Sequence, residues 1–166
     1  LEVLMISNRF KGFLLYYIIY SLLVIGSGVF FGVLVNEDLF EAEPPSLGKD
    51  FAYLVLFHNL RNFGIYLLAP IFSPIFQLMD LGGSAFQITV GFRILGTQGA
   101  LNKLFPHAFL EIPNMLFYQG ISQYVLYTLI STKSLSTTFN LVKKMVPAYL
   151  LSVLILIIAA IIEGYM

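Results

Sequence analysis

The stretch FLLYYIIYSLLVIGSGVFFGVLV, residues 13–35, decides the fold class. It runs for 23 residues without a charge. A helix needs about 20 predominantly apolar residues to cross the hydrocarbon core of a bilayer. Tyr16, Tyr17 and Tyr20 lie near its start, where amphipathic rings meet lipid headgroups. Gly28 and Gly32 form a small-xxx-small pair that lets a second helix approach closely. The run is too long for a secretory signal, and no small-residue cleavage site follows it.

The rest of the chain agrees. Of 166 residues, 58% are hydrophobic and 11% charged, with a mean hydropathy of +0.87. Soluble domains carry about 25% charged residues. A soluble enzyme, a disordered chain and a nucleic-acid binder are therefore excluded. Lys plus Arg equals Asp plus Glu at 9 each, so no basic excess attracts phosphate backbones. With no cysteine, disulfides, thiolate zinc sites and iron–sulfur clusters are ruled out.

Four further apolar blocks follow, at 51–76, 81–101, 105–130 and 146–162. The expectation is a single all-α membrane domain over 1–166: a polytopic bundle of about five spans in contact with the lipid bilayer. Asn36 to Asp50 reads as an acidic solvated connector, stopped by Pro44-Pro45. Pro70 and Pro74 kink or end the second block, and Pro113 interrupts the fourth. The Gly-rich block 81–101 is either a third span deep in the bundle or a re-entrant segment. Ser131 to Met145 reads as a Ser/Thr-rich connector, with Pro147 near the start of the last span. With five spans and the N-terminus inside, Arg9, Lys11, Lys133, Lys143 and Lys144 fall inside, and Lys49 and Lys103 outside. The positive-inside rule therefore favours N-in, C-out.

Charges within a bilayer cost roughly 2.5–3.5 kcal/mol each on insertion scales, so they mark sites or structural pairs. The second block holds His58, Asn59, Arg61 and Asn62 on one broad face. Arg93 shares a face with Thr89 and Thr97. His107, Glu111, Asn114, Tyr118 and Ser122 form one stripe at helical spacing. Glu111 is expected to pair with Arg61 or Arg93, either as a structural clamp between helices or as part of a polar site for a substrate, peptide or proton. Glu111 and His107 are the candidate catalytic residues of a glutamate-dependent intramembrane peptidase or cyclase. Glu111 would activate water there, and His107 or His58 would support the developing charge. No full protease motif is present. His107 and Glu111 alone do not make a metal site, so neither a metal nor another cofactor is expected. There is no GxxxxGK[ST] loop, so any ATP use falls to a partner. A transporter with broken helices would borrow Pro70, Pro74 and Pro113, but the paired repeats of such folds are absent.

Three stretches together resemble the stage II sporulation protein M family. They are Phe57-His58-Asn59-Leu60-Arg61, the Gly-rich block after it, and Phe105-Pro106-His107-Ala108-Phe109-Leu110-Glu111-Ile112-Pro113. The last is similar to the family's P-H-G-x-x-E-[LI]-P, and the likeness covers roughly residues 50–125. Ala108 stands where the family usually has Gly, and His58 replaces the first residue of a usual Asn-Asn pair. The resemblance implies a multi-pass protein of the bacterial cytoplasmic membrane. One setting it implies is a scaffold for peptidoglycan-degrading enzymes during sporulation. The other is a subunit needed for maturation or export of circular bacteriocins, beside a hydrophobic precursor peptide and a separate ATPase. The short chain favours the second setting. In it, the Ser131–Met145 lysines would dock the ATPase, and association with other membrane subunits or a homo-oligomer would be expected.

Overall fold

The computed structural model describes the backbone of residues 2–40 and 48–165, and their side chains except those of 2–9, 37 and 103–107. Among the described residues all regular structure is helical. Four α-helices run Glu2–Leu34 (α1), Lys49–Leu68 (α2), Ser73–Thr132 (α3) and Leu135–Tyr165 (α4). One-turn 3-10 segments lie at Glu37–Leu39 and Pro70–Phe72. Two helical stretches, Phe10–Leu34 and Leu135–Tyr165, are long and apolar enough to cross a membrane alone. A third counts if Lys49–Leu68 and Pro70–Asn102, bent by 100° at their junction, form one span.

α3 is two helices joined at one residue. Gly96 has φ 67° and ψ 169°, in a region that glycine enters without a Cβ clash. The first arm, 73–95, and the second arm, 97–132, then fold back against each other. Gln123 Nε2 donates to Gln77 Oε1 across that hairpin.

Contacts give each segment its direction. Tyr20 OH donates to Pro74 O at 2.6 Å, Gln77 Nε2 to Ser21 Oγ at 2.8 Å and Arg93 Nη1 to Val35 O at 2.7 Å. The residue numbers rise together, so α1 and the first arm are parallel. Tyr17 OH donates to Leu116 O at 2.6 Å, and the Phe13 and Tyr124 rings lie 5.0 Å apart. The second arm therefore opposes α1. It runs with α2, because Ser122 Oγ donates to Tyr66 O at 2.7 Å and Asn59 meets Glu111. α4 opposes α2: Gly48 N donates to Gly164 O at 2.8 Å, and the Phe63 and Tyr149 rings are 5.9 Å apart. Five helical segments thus alternate in direction along the chain. Phe63, Tyr66, Tyr118, Ile121, Tyr149 and Leu156 form the core between α2, the second arm and α4. Leu22, Leu23, Leu150 and Leu154 are exposed on the outer faces of α1 and α4.

The Gly28–Gly32 pair does what its spacing suggests. A Cβ on Gly28 would overlap Gly82 O, and one on Gly32 would lie 2.7 Å from Thr89 Cβ. The two backbones are therefore too close for side chains there.

Several boundaries differ from the sequence expectation. The second block does not reach residue 76, because α2 stops at Leu68 and Ser73–Phe76 already belong to α3. Pro70 lacks the N–H that would continue α2 and sits in the first turn of the 3-10 segment instead. Pro113 does not interrupt its helix; the break falls at Gly96. Ser131–Met145 is not a connector. Only Lys133 and Ser134 are non-helical, with Lys133 at φ 50°. Ser134 Oγ then accepts the Thr137 N–H at 3.3 Å and starts α4 early. Pro147 consequently lies inside α4, where residue 147 supplies no N–H to the Lys143 carbonyl. The Thr89–Arg93–Thr97 face is cut by the Gly96 break. Glu41, Glu43 and Pro44-Pro45 lie outside the described residues.

Candidate functional site

α2 and the first arm of α3 diverge from the Ala69–Phe72 corner, and the second arm and α4 close the wedge between them. The wedge contains a cavity of about 290 Å³. Its polar lining is His58, Asn59 and Asn62 from α2, Asp80, Ser84 and Gln87 from the first arm, and Glu111 and Tyr118 from the second. Leu156 of α4 is part of the apolar wall. An adjoining space of about 480 Å³ shares His58, Asn59, Ser84, Gln87 and Glu111 and reaches Glu163 near the end of α4. The cleft thus rises from the middle of the apolar part of α4 to its end, about 10 Å along the axis.

The helical period explains the lining. His58 and Asn62 are one turn apart, with Asn62 Nδ2 3.3 Å from His58 Nε2. Asp80, Ser84 and Gln87 follow spacings of four and three on the first arm. Asn59 Nδ2 donates to Glu111 Oε1. Asp80 stands beside the Tyr66 hydroxyl, within electrostatic reach of His58 and Arg61. Carboxylates held in an apolar bundle by amides and a phenol favour hydrogen-bond donors, such as ammonium groups or peptide N–H.

The expected cluster is partly brought together. His58, Asn59, Asn62, Glu111 and Tyr118 line the cleft, but Arg61 and Arg93 are not among its lining residues. Glu111 accepts from Asn59, while Arg93 Nη1 donates to Gly32 O at 2.9 Å and to Val35 O at 2.7 Å. Arg93 therefore satisfies carbonyls at the end of α1 that have no helical partner of their own. Asn114 is buried against α4, donating to Ser152 O at 3.1 Å, and is not part of the cleft. The His107 side chain lies outside the described residues. Among those residues no three His, Asp or Glu gather to hold a metal ion.

Asp80 was missed because it falls between two apolar blocks and looks like a boundary. It is the only acidic residue between Asp50 and Glu111, which was the available signal. A second polar layer was missed too. Tyr66 OH accepts from Gln119 Nε2 at 3.0 Å, and Ser21, Gln77, Gln119 and Gln123 are buried along with Ser122, which the stripe already included. Gln119 and Gln123 sit one turn apart, as expected of an inward face.

No family model matches the chain, and no curated protein or solved structure does so either.

Proposed function

We propose that this chain is a five-span subunit of a complex in the bacterial cytoplasmic membrane, holding part of a hydrophobic, circular bacteriocin-type peptide during maturation or export. The observation that carries this reading is the cleft lined by Glu111 and Asp80, open toward Glu163 and walled by apolar helices. A hydrophobic peptide in a bilayer still has backbone N–H groups to satisfy. A carboxylate- and amide-lined groove among apolar side chains offers them partners. The likeness of residues 105–113 to the stage II sporulation protein M family points the same way.

Five crossings are supported by the alternating directions of the five segments, and one of the middle segments also has the length to span. α2 and its corner accompany α4 from Gly164 to Thr138. Those 26 residues measure about 39 Å, more than the ~30 Å hydrocarbon core. The first arm accompanies α1 from Tyr20 to Val35. The chain has no cysteine, so single cysteines report topology cleanly. Five crossings with the N-terminus inside expose Q98C to an impermeant maleimide from outside and I71C from inside. Labelling of both from the same side would leave a re-entrant pair instead.

The functional test is a mild-detergent pull-down of the tagged protein from its native membrane, with and without Glu111→Gln. An apolar precursor peptide and an ATPase are expected with the wild type, and the peptide is lost from the variant. Cell-wall hydrolases in their place would overturn the peptide reading and make this chain a scaffold.

A further inference from the structure

The opposite end of the bundle carries a second pocket whose chemistry is reversed. The tight turn at Lys133-Ser134 brings α4 back beside the second arm and leaves a space of about 390 Å³ between them. Tyr124, Tyr127, Asn140 and Lys144 line it. The smaller hydroxyls around it are already committed. Thr132 Oγ1 donates to Thr128 O at 2.8 Å, Ser131 Oγ to Thr128 O at 3.3 Å and Thr137 Oγ1 to Ser134 Oγ at 3.0 Å. The two phenols, the Asn140 amide and the Lys144 ammonium have no hydrogen bond among the described residues. Four side chains able to donate, one of them a cation, therefore line one space and make no hydrogen bond to one another.

Among the described residues, the charges at this end are all positive. Lys11, Lys133, Lys143 and Lys144 are all exposed at this end. Asp80 and Glu111 line the cleft, while Asp38, Asp50 and Glu163 lie toward the other end. Lys143 is drawn aside, with its ammonium 4.6 Å from the centre of the Phe139 ring, which leaves Lys144 for the pocket. Leu141 in the lining and the half-exposed Phe10, edge-on to Tyr124 at 5.4 Å, join the pocket to the lipid-facing surface.

We propose that this pocket binds the phosphodiester headgroup of an anionic phospholipid, with Lys144 and Asn140 on the phosphate oxygens and the two tyrosines donating from the second arm. A phosphate offers several acceptor oxygens and a negative charge, which the Lys144 ammonium, the Asn140 amide and the two phenols of the pocket complement. The apolar rim gives the acyl chains a path back into the bilayer, so the ligand is a lipid and not a soluble anion. This assignment is independent of what occupies the Glu111 cleft.

The test uses the full-length protein in neutral detergent, with native mass spectrometry as the readout. Phosphatidylglycerol and phosphatidylcholine are added at equal concentration, and inorganic phosphate is the competitor. Phosphatidylglycerol is expected to be retained about fivefold over phosphatidylcholine or more, the weight of a single lysine at an anionic surface. Lys144→Gln with Asn140→Leu should abolish the preference, while Lys143→Gln should leave it. Tyr127→Phe removes one donor with the least disturbance of the fold, and it should lower the preference if the double variant does not purify. Equal retention of the two lipids overturns the proposal, as does a preference unaffected by these variants. Displacement of the lipid by millimolar phosphate also overturns it, since the pocket would then serve a soluble anion.

Discussion

The first arm of α3 has two faces that solve opposite problems. Toward α1 it presents Gly82, Ala85 and Thr89, which meet Gly28 and Gly32 at backbone contact. Toward α2 it presents Asp80, Ser84 and Gln87 to a cleft. The first face is made by removing side chains, so that two backbones gain dispersion contacts over their length. The second exists because the 100° bend at Ala69–Phe72 throws α2 and the arm apart. Within this apolar bundle, the close face packs helix on helix and the open face leaves a polar cleft.

That contrast gives an ordered set of substitutions. Gly28→Leu should cost the most, because its new Cβ meets the Gly82 carbonyl and the backbone has nowhere to go. A loss of about 3 kcal/mol or more is expected, read as a fall in the unfolding midpoint in detergent. Gln77→Leu comes next. It leaves Gln123 and Ser21 buried without their partner, at about 1–3 kcal/mol. In the double variant with Gln123→Leu, the second change should add less than it costs alone, because the orphaned amide is gone. Arg93→Gln should cost about 1–2 kcal/mol by releasing the Gly32 and Val35 carbonyls. Gln87→Ala, on the cleft, should fall within about 0.5 kcal/mol in the same assay. It should still weaken peptide retention in the pull-down. A large stability loss at Gln87, or none at Gly28, would erase the distinction between the two faces.

Much of the fold was legible where a single property decided it. The residue 13–35 run marked the apolar part of α1, which itself begins at Glu2, and the glycine spacing pointed to close packing there. The corner at Pro70 followed from a missing N–H. A reversal between the 81–101 and 105–130 blocks was expected, but its position at Gly96 did not show, because the chain holds 13 glycines and nothing local says which one takes a positive φ. Pro113 drew attention that belonged to Gly96. In the site, Glu111, Asn59 and His58 were found by asking which polar groups a bilayer would tolerate. Asp80 answers to the same question, but it sat in what looked like a gap between spans. The partner of Arg93 was hidden for another reason: it bonds backbone carbonyls, which carry no sequence signature.

The polar residues of the middle segments also bear on how such a chain enters a membrane. The two stretches that can cross alone lie at its beginning and its end. Gln77, Gln119 and Gln123 of the segments between them form a buried polar layer with Ser21 of α1. No middle segment is a comfortable passenger in lipid by itself, so these segments are expected to leave the insertion machinery as a group. A chain cut before Leu135 would lack the helix that walls the cleft, and quality-control proteases should clear it faster than the full-length protein.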